Sequence, residues 1–220
     1  METSFSNRLF LLPLFQGFSR LDFLDIVEKT PMDFSTLSPK EILVHQNDAC
    51  ESLLMVLSGD LEIEVNSPDH TYTFSETLTG PWIIQPERLF GLHNSYTCTI
   101  SALSEVKTVA LKKQDVRQLL TKYPVFQINF YNLVSTVAQH SSDYLWIART
   151  ESLRGHFAHF IKQRSLRPTG PKSLHIRMED LAQELYSTRK TVSDLLADLA
   201  KDKLIYYTRG IIYIDALERL

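Results

Sequence analysis

Between Thr188 and Ser193 the chain reads Thr-Arg-Lys-Thr-Val-Ser. Thr188, Arg189, Lys190, Thr191 and Ser193 are all hydroxyl donors or cations. Such groups recognise rather than react. An arginine fork fits a guanine edge bidentately, and a lysine meets a phosphate or a guanine as a point charge. Thr208 and Arg209 add a second donor–cation pair further along. The chemistry on offer is the holding of a polyanion that carries hydrogen-bonding edges. Catalytic arrangements are missing by comparison: the chain has no Gly-rich phosphate loop, no metal-spaced His/Cys set and no nucleophile motif. No catalytic and no metal-binding residue is therefore expected.

Those side chains need elements to aim them. From Met178 to Leu204, Leu181, Ala182 and Leu185 form the apolar stripe of one helix. Tyr186-Ser187 breaks it, and Thr188 suits the N-cap of a second helix. Val192, Leu195, Leu196 and Leu199 give that helix its own buried face, and the small Ala182 lets the two helices approach closely. The polar residues gather at the start of the second helix, the end that enters a major groove in a helix-turn-helix. An ordinary helical hairpin with a solvated Arg–Lys pair is the plainer alternative. Two apolar strands then flank Thr208-Arg209-Gly210, which makes a hairpin, or wing, whose tip carries Thr208 and Arg209.

The remainder of the chain bounds the class. It has 220 residues, 44% hydrophobic and 22% charged, enough for two packed domains. Net charge is −3, divided as −6 over residues 1–150 and +3 over 151–220. That asymmetry suits a polyanion facing the C-terminal part. No apolar run reaches the roughly 18 residues of a membrane helix, and Leu9–Phe15 reads as part of a folded first helix and not a signal peptide. Two cysteines, Cys50 and Cys98, are too few for a disulfide framework or a four-thiolate cluster, so a cytoplasmic location is the default expectation.

Strand formers dominate from Lys40 to Lys112. Glu41–His45, Ser52–Ser58, Leu61–Val65, Thr71–Ser75, Thr97–Ala102 and Lys107–Leu111 read as short strands, with a turn at Ser58-Gly59-Asp60. Their close spacing suggests a small barrel or roll. Gln114–Lys122 is helical, and Pro124 can open a long helix that runs to about Thr150. Phe130, Val137 and Tyr144 fall seven apart, as do Leu133, His140 and Ile147, which makes a heptad seam. That seam suits a partner helix or the chain's own domain; His140 in it either sets register or is an ordinary satisfied histidine. Leu153–Ile161 is helical, and Arg164–Ser173, with two prolines and a glycine, reads as a loop.

LAQELYSTRKTVSDLLADLAKDKLI and its wing resemble the winged helix of the Crp–Fnr family of regulators. VLSGDLEIEV and TCTISALSEVKTVALKKQDVRQLL resemble the early strands, and the last strands with the following helix, of that family's cyclic-nucleotide-binding-like β-roll. The resemblance implies an α+β chain in three parts: an antiparallel β-roll (a double-stranded β-helix) over 1–123, a dimerisation helix over 124–150, and a winged helix-turn-helix over 151–220. It implies a homodimer on a palindromic operator in double-stranded DNA, with the seam residues as interface. RNA polymerase contact and the sign of regulation are left open by the sequence. The family's recognition helix reads Ser-Arg-x-Thr-Val-Ser-Arg, so Arg189 takes a base-contacting role. Asp194 replaces the second basic residue, which points to a cytosine amino group or a partner side chain and to an unusual operator. Tyr186 stands where glycine is usual in the turn, a position at which a side chain has a steric cost.

The family's cyclic-nucleotide cassette pairs a ribose-binding glutamate with a phosphate-binding arginine. By the resemblance Gln85 replaces the first and Tyr96 the second, beside Trp82, Thr97 and Cys98. Arg88 is the one nearby arginine, in another part of the loop. A buried phosphate with no opposing cation is expensive, so cyclic AMP and cyclic GMP are not expected as effectors; the apolar Trp82, Ile83, Ile84, Leu89 and Phe90 suit either a cassette closed on itself or one that holds an apolar effector. His45, His70 and His93 can ligate haem in principle, though surface or core roles suit them better. The rival to a DNA-binding regulator is a signalling or scaffold module whose winged helix binds protein.

Overall fold

The computed structural model describes residues 2–146 and 152–220, with side chains from 6 to 142 and from 152 onward. Ile147 and the side chain of Tyr144, both on the expected seam, lie outside that description. The fold is α+β. Two helices, α1 (Glu2–Phe10) and α2 (Arg20–Lys29), precede eight strands: β1 (Asp33–Leu37), β2 (Ile42–Val44), β3 (Ser52–Ser58), β4 (Asp60–Asn66), β5 (Tyr72–Thr79), β6 (Trp82–Ile84), β7 (Thr99–Ala102) and β8 (Val106–Lys112). Then come α3 (Lys113–Lys122), α4 (Pro124–Trp146) and α5 (Leu153–Arg164). The C-terminal part holds β9 (Lys172–Ile176), α6 (Met178–Glu184), α7 (Arg189–Lys201), β10 (Tyr206–Thr208) and β11 (Ile211–Ile214).

The chain forms two compact units. The first comprises residues 1–62 and 78–140; the second comprises 63–77 and 141–220. The expected boundaries put everything before 123 in one domain, so the β4–β5 hairpin is the point of departure.

In the first unit β1, β8, β3 and β6 form a sheet in that order, all antiparallel, and β2 pairs with β7. β3 is almost wholly apolar because it is an inner strand with both neighbours in place. The turn into β4 depends on Gly59, whose φ is +102° and whose missing Cβ would lie 2.4 Å from the Glu105 carbonyl oxygen. The N-terminal stretch is folded, but the helix expected to include Leu9–Phe15 ends at Phe10, and a separate 3-10 turn follows at Pro13–Phe15. Leu9, Leu12, Leu14 and Phe15 are fully buried, each worth about 1.5–3 kcal/mol. Phe15 meets Phe23 at 5.1 Å and Phe126 at 5.8 Å between ring centres. Asn129 Nδ2 donates to the carbonyls of Leu14 and Gln16, which ties down the start of α4.

This anchoring corrects one expectation. Phe130, assigned to the partner-facing seam, is buried in its own unit, edge-on to Phe90 at 5.9 Å. The heptad spacing found a face of the helix; for this residue that face belongs to the roll. Leu133, Val137 and His140, further along, are half-buried.

In the second unit β9 pairs with β11 on one side and with β5 on the other, Tyr72–Glu76 running antiparallel to Ile176–Lys172. β9 lies partly in the stretch expected to be a loop. Phe74 of the hairpin sits in one core with Phe157, Leu174, Leu181, Val192 and Ile212. Lys172 and Glu76 face inward as an ion pair, Nζ to Oε2 at 2.7 Å, with side chains 1% and 2% exposed. Glu76 also accepts from the backbone N–H of Leu166 and Arg167, and Lys172 donates to the Thr169 carbonyl. Arg164 stacks its guanidinium on Phe160 at 3.7 Å and donates from Nε to the Tyr72 hydroxyl and from Nη2 to Glu184. The Lys172–Glu76 pair is tolerable at this depth because each charge has further hydrogen-bond partners.

Candidate nucleic-acid interface

The reading face is built by two helix ends. α6 stops in a Schellman motif: Ser187 N–H reaches the Ala182 carbonyl, and Tyr186 N–H the Gln183 carbonyl. That motif needs a left-handed residue, and Tyr186 supplies it at φ +50° with its side chain 96% exposed. The non-glycine turn anticipated from sequence is therefore formed, against the steric preference for glycine. α7 ends the same way, with Lys203 at φ +57°.

Thr188 is the N-cap of α7, its Oγ1 accepting from Thr191 N–H at 3.2 Å and sharing a 2.8 Å hydrogen bond with the Thr191 hydroxyl. The cap fixes the first turn while Val192, Leu196 and Leu199 bury the opposite face. Thr188, Arg189, Lys190, Thr191, Ser193 and Asp194 are all exposed. The wing, β10 and β11, turns through Gly210 at φ +82° and leaves Thr208 and Arg209 exposed at its tip. Arg189, Arg209, Thr208, Arg177 and Glu179 line a cleft of about 770 Å³ between the helix pair and the wing. All eight residues expected to face DNA thus lie at the N-cap of α7, on α7 or at the wing tip, and Arg189, Thr208 and Arg209 line one cleft.

Two carboxylates in that neighbourhood escaped the sequence reading. Asp180 takes Arg177 bidentately, at 2.6 Å from Nε and 3.1 Å from Nη2, which raises the arginine pKa further. Glu179 Oε1 lies 3.0 Å from Nη1 of Arg189. The pointer was available in principle: a helix-turn-helix brings the first turn of its first helix near the start of its second.

The cassette lies in the first unit, and its Gln85 is bonded within it. Gln85, left-handed at φ +36°, donates from Nε2 to Thr97 Oγ1 at 2.5 Å and accepts from Thr97 N–H at 3.0 Å. Tyr96 is buried and donates its hydroxyl to the Ser52 carbonyl at 3.3 Å; burial pushes that hydroxyl's pKa far up. Cys98 and Cys50 are buried too, and burial raises the Cys50 thiol. Trp82 is half-buried at the start of β6. Arg88 lies in a short 3-10 turn, its Nε 3.9 Å from its neighbour Glu87, whose carboxyl burial pushes up. Of the six cassette residues, Gln85 and Thr97 are joined directly, whereas the Tyr96 hydroxyl turns to Ser52. Among the described residues, no group of three or more His, Cys, Asp or Glu is placed to hold a metal, and no helix is long and apolar enough to cross a membrane.

Residues 34–123 match the family profile of the cyclic nucleotide-binding domain, and residues 155–220 that of the Crp-like helix-turn-helix domain. No protein of curated function matches the chain. Among solved structures, the catabolite activator protein of Thermus thermophilus is similar in fold at 18% identity, TM-score 0.56, over 92% of this chain and 93% of that one. The c-di-GMP-responsive global regulator CLP of Xanthomonas campestris is similar at 11% identity, TM-score 0.50, over 87% and 97%.

Proposed function

The chain belongs to the Crp–Fnr family of transcription regulators, and from that premise we propose that it reads a palindromic operator as a homodimer, without a cyclic nucleotide as effector. It is a DNA-binding regulator and not an enzyme. One observation carries the reading: the capped first turn of α7 presents Arg189 and Lys190 in the open, across a cleft from the wing-tip Arg209. Arg189 faces a guanine, while Lys190, Arg209 and the hydroxyls of Thr188, Thr191, Ser193 and Thr208 hold the backbone. The start of α7 adds its own attraction for phosphate. Asp194, exposed on the same helix, selects a cytosine amino group and excludes operators that put phosphate there.

The dimer reading rests on α4. Leu133, Val134 and Val137 lie half-buried along one side of its 23 residues, apolar surface that a second copy can cover. Two recognition helices then meet half-sites about one helical turn apart. Contact with RNA polymerase has only the family resemblance behind it. The case against cyclic nucleotides is the cassette: Gln85 is bonded to Thr97, and Tyr96 stands where a phosphate requires a cation.

The test is selection of duplexes from a random library by the full-length chain, followed by a salt titration on the winner. Affinity should fall steeply with salt, with a log–log slope near −0.9 for each phosphate neutralised. Binding that ignores salt and sequence would shift the case to a scaffold whose winged helix takes a protein. A melting shift of several degrees with cyclic AMP or cyclic GMP at sub-millimolar concentration would overturn the effector reading.

A further inference from the structure

The arginine expected to read a base already has a protein partner. Arg189 is the first residue of α7, and its Nη1 is 3.0 Å from Oε1 of Glu179 in the first turn of α6. Both side chains are mostly exposed, 69% and 61%. An ion pair so open to water contributes little to folding stability, so holding the two helices together does not explain it. Its position does. Glu179 and Arg189 line the same cleft as Arg209, beside the surface assigned to the duplex. A carboxylate there repels phosphate unless it serves the arginine.

Resting on the DNA-binding reading, we propose that Glu179 is a positioning residue that aims Arg189 at its guanine without touching a base. A free arginine side chain samples many rotamers, and fixing one on binding has an entropic cost. The Glu179 contact engages Nη1 and leaves the Nε–Nη2 edge of the guanidinium directed elsewhere, the fork that suits guanine O6 and N7. When the duplex covers the cleft and excludes water, the contact strengthens. The same carboxylate cancels one positive charge near the backbone, so it weakens sequence-independent attraction. Discrimination rises and indiscriminate binding falls, two opposite effects from one group.

The experiment uses the full-length chain and the duplex selected from a random library. First, Arg189→Ala identifies the base pair at which preference is lost. Affinities of wild type, Glu179→Ala and Glu179→Gln are then measured on the preferred duplex, on that duplex with the identified pair exchanged, and on an unrelated duplex. Glu179→Ala should reduce the preferred-to-exchanged ratio about two- to tenfold, the cost of ordering one long side chain, while tightening the unrelated duplex. Glu179→Gln keeps the side chain's length but not its charge, so its ratio should fall between those of wild type and Glu179→Ala. If Glu179→Ala shifts all three duplexes by one common factor, Glu179 merely repels phosphate and the proposal falls. If Arg189→Ala shifts no base preference, the base-reading role itself has failed, and the proposal goes with it. Melting curves of the variants should superimpose on wild type, since both side chains are exposed.

Discussion

Glu76–Lys172 and Glu179–Arg189 are the same kind of contact, a glutamate oxygen near a cationic nitrogen, in two settings of one folded unit. The first is sealed in the core, with two backbone N–H groups and a carbonyl completing it. The second stands open at the edge of a cleft. In the core, neither charge can lose its partner and regain water, so the pair is part of the fold. At the cleft, water substitutes at small cost, so the pair is free to serve another molecule. The same division separates the cassette, where Gln85 and Thr97 satisfy one another, from the reading face, where Arg189 and Lys190 point outward.

Breaking the core pair should give the largest effect. Lys172→Met leaves Glu76 buried against two N–H donors and no cation, and should cost about 3–5 kcal/mol, read by urea or thermal denaturation. The double change Glu76→Leu with Lys172→Met should recover most of that loss. A Lys172→Met loss below about 1 kcal/mol would mean that Glu76 finds water, and the contrast between the settings would collapse. At the cleft the signs exchange. Arg189→Ala should leave stability within about 0.5 kcal/mol and cost about 1–3 kcal/mol of binding to the preferred duplex, confined to one base position. An equal loss on every duplex would remove its base-reading role.

The cassette supplies an intermediate case. Thr97→Val removes the acceptor of Gln85 Nε2 but leaves Thr97 N–H bonded to Oε1, so about 1 kcal/mol should be lost. No loss would show the amide turning to solvent, and with it a cassette more open to ligand than the bonding suggests. The smallest change is at the turn. Tyr186→Gly relieves a left-handed residue at the cost of a more flexible unfolded chain, a net gain of about 0.5 kcal/mol in denaturation. A net loss would imply that the exposed ring stabilises the turn.

What could be read from sequence was local. The stripe of Val192, Leu196 and Leu199, the Thr188 cap and the glycine turn at Gly59 each depend on residues a few positions apart, and all three are formed. Partners far apart in sequence stayed hidden. The start of β9 read as loop because two prolines and a glycine lead into it, and the glutamate that makes Lys172 acceptable lies 96 residues earlier. β1 gave no signal because four of its five residues are exposed. The seam on α4 was visible as a period, but a period does not say which surface it faces, and Phe130 faces its own roll. In the candidate site, the cations were legible by type and spacing, whereas Glu179 was legible only once two helix ends were placed together.

The pairing of β5 with β9 has a consequence for the order in which the molecule is made. Glu76 leaves the ribosome 96 residues ahead of Lys172, an interval of about 5–20 seconds at ordinary rates of synthesis. Throughout that interval Phe74 lacks its core and one edge of β5 lacks its neighbour. A nascent chain in this condition offers an open strand edge, the template on which copies stick to one another. Slower translation between residues 77 and 172 should therefore lower the yield of native protein, even though it changes no residue.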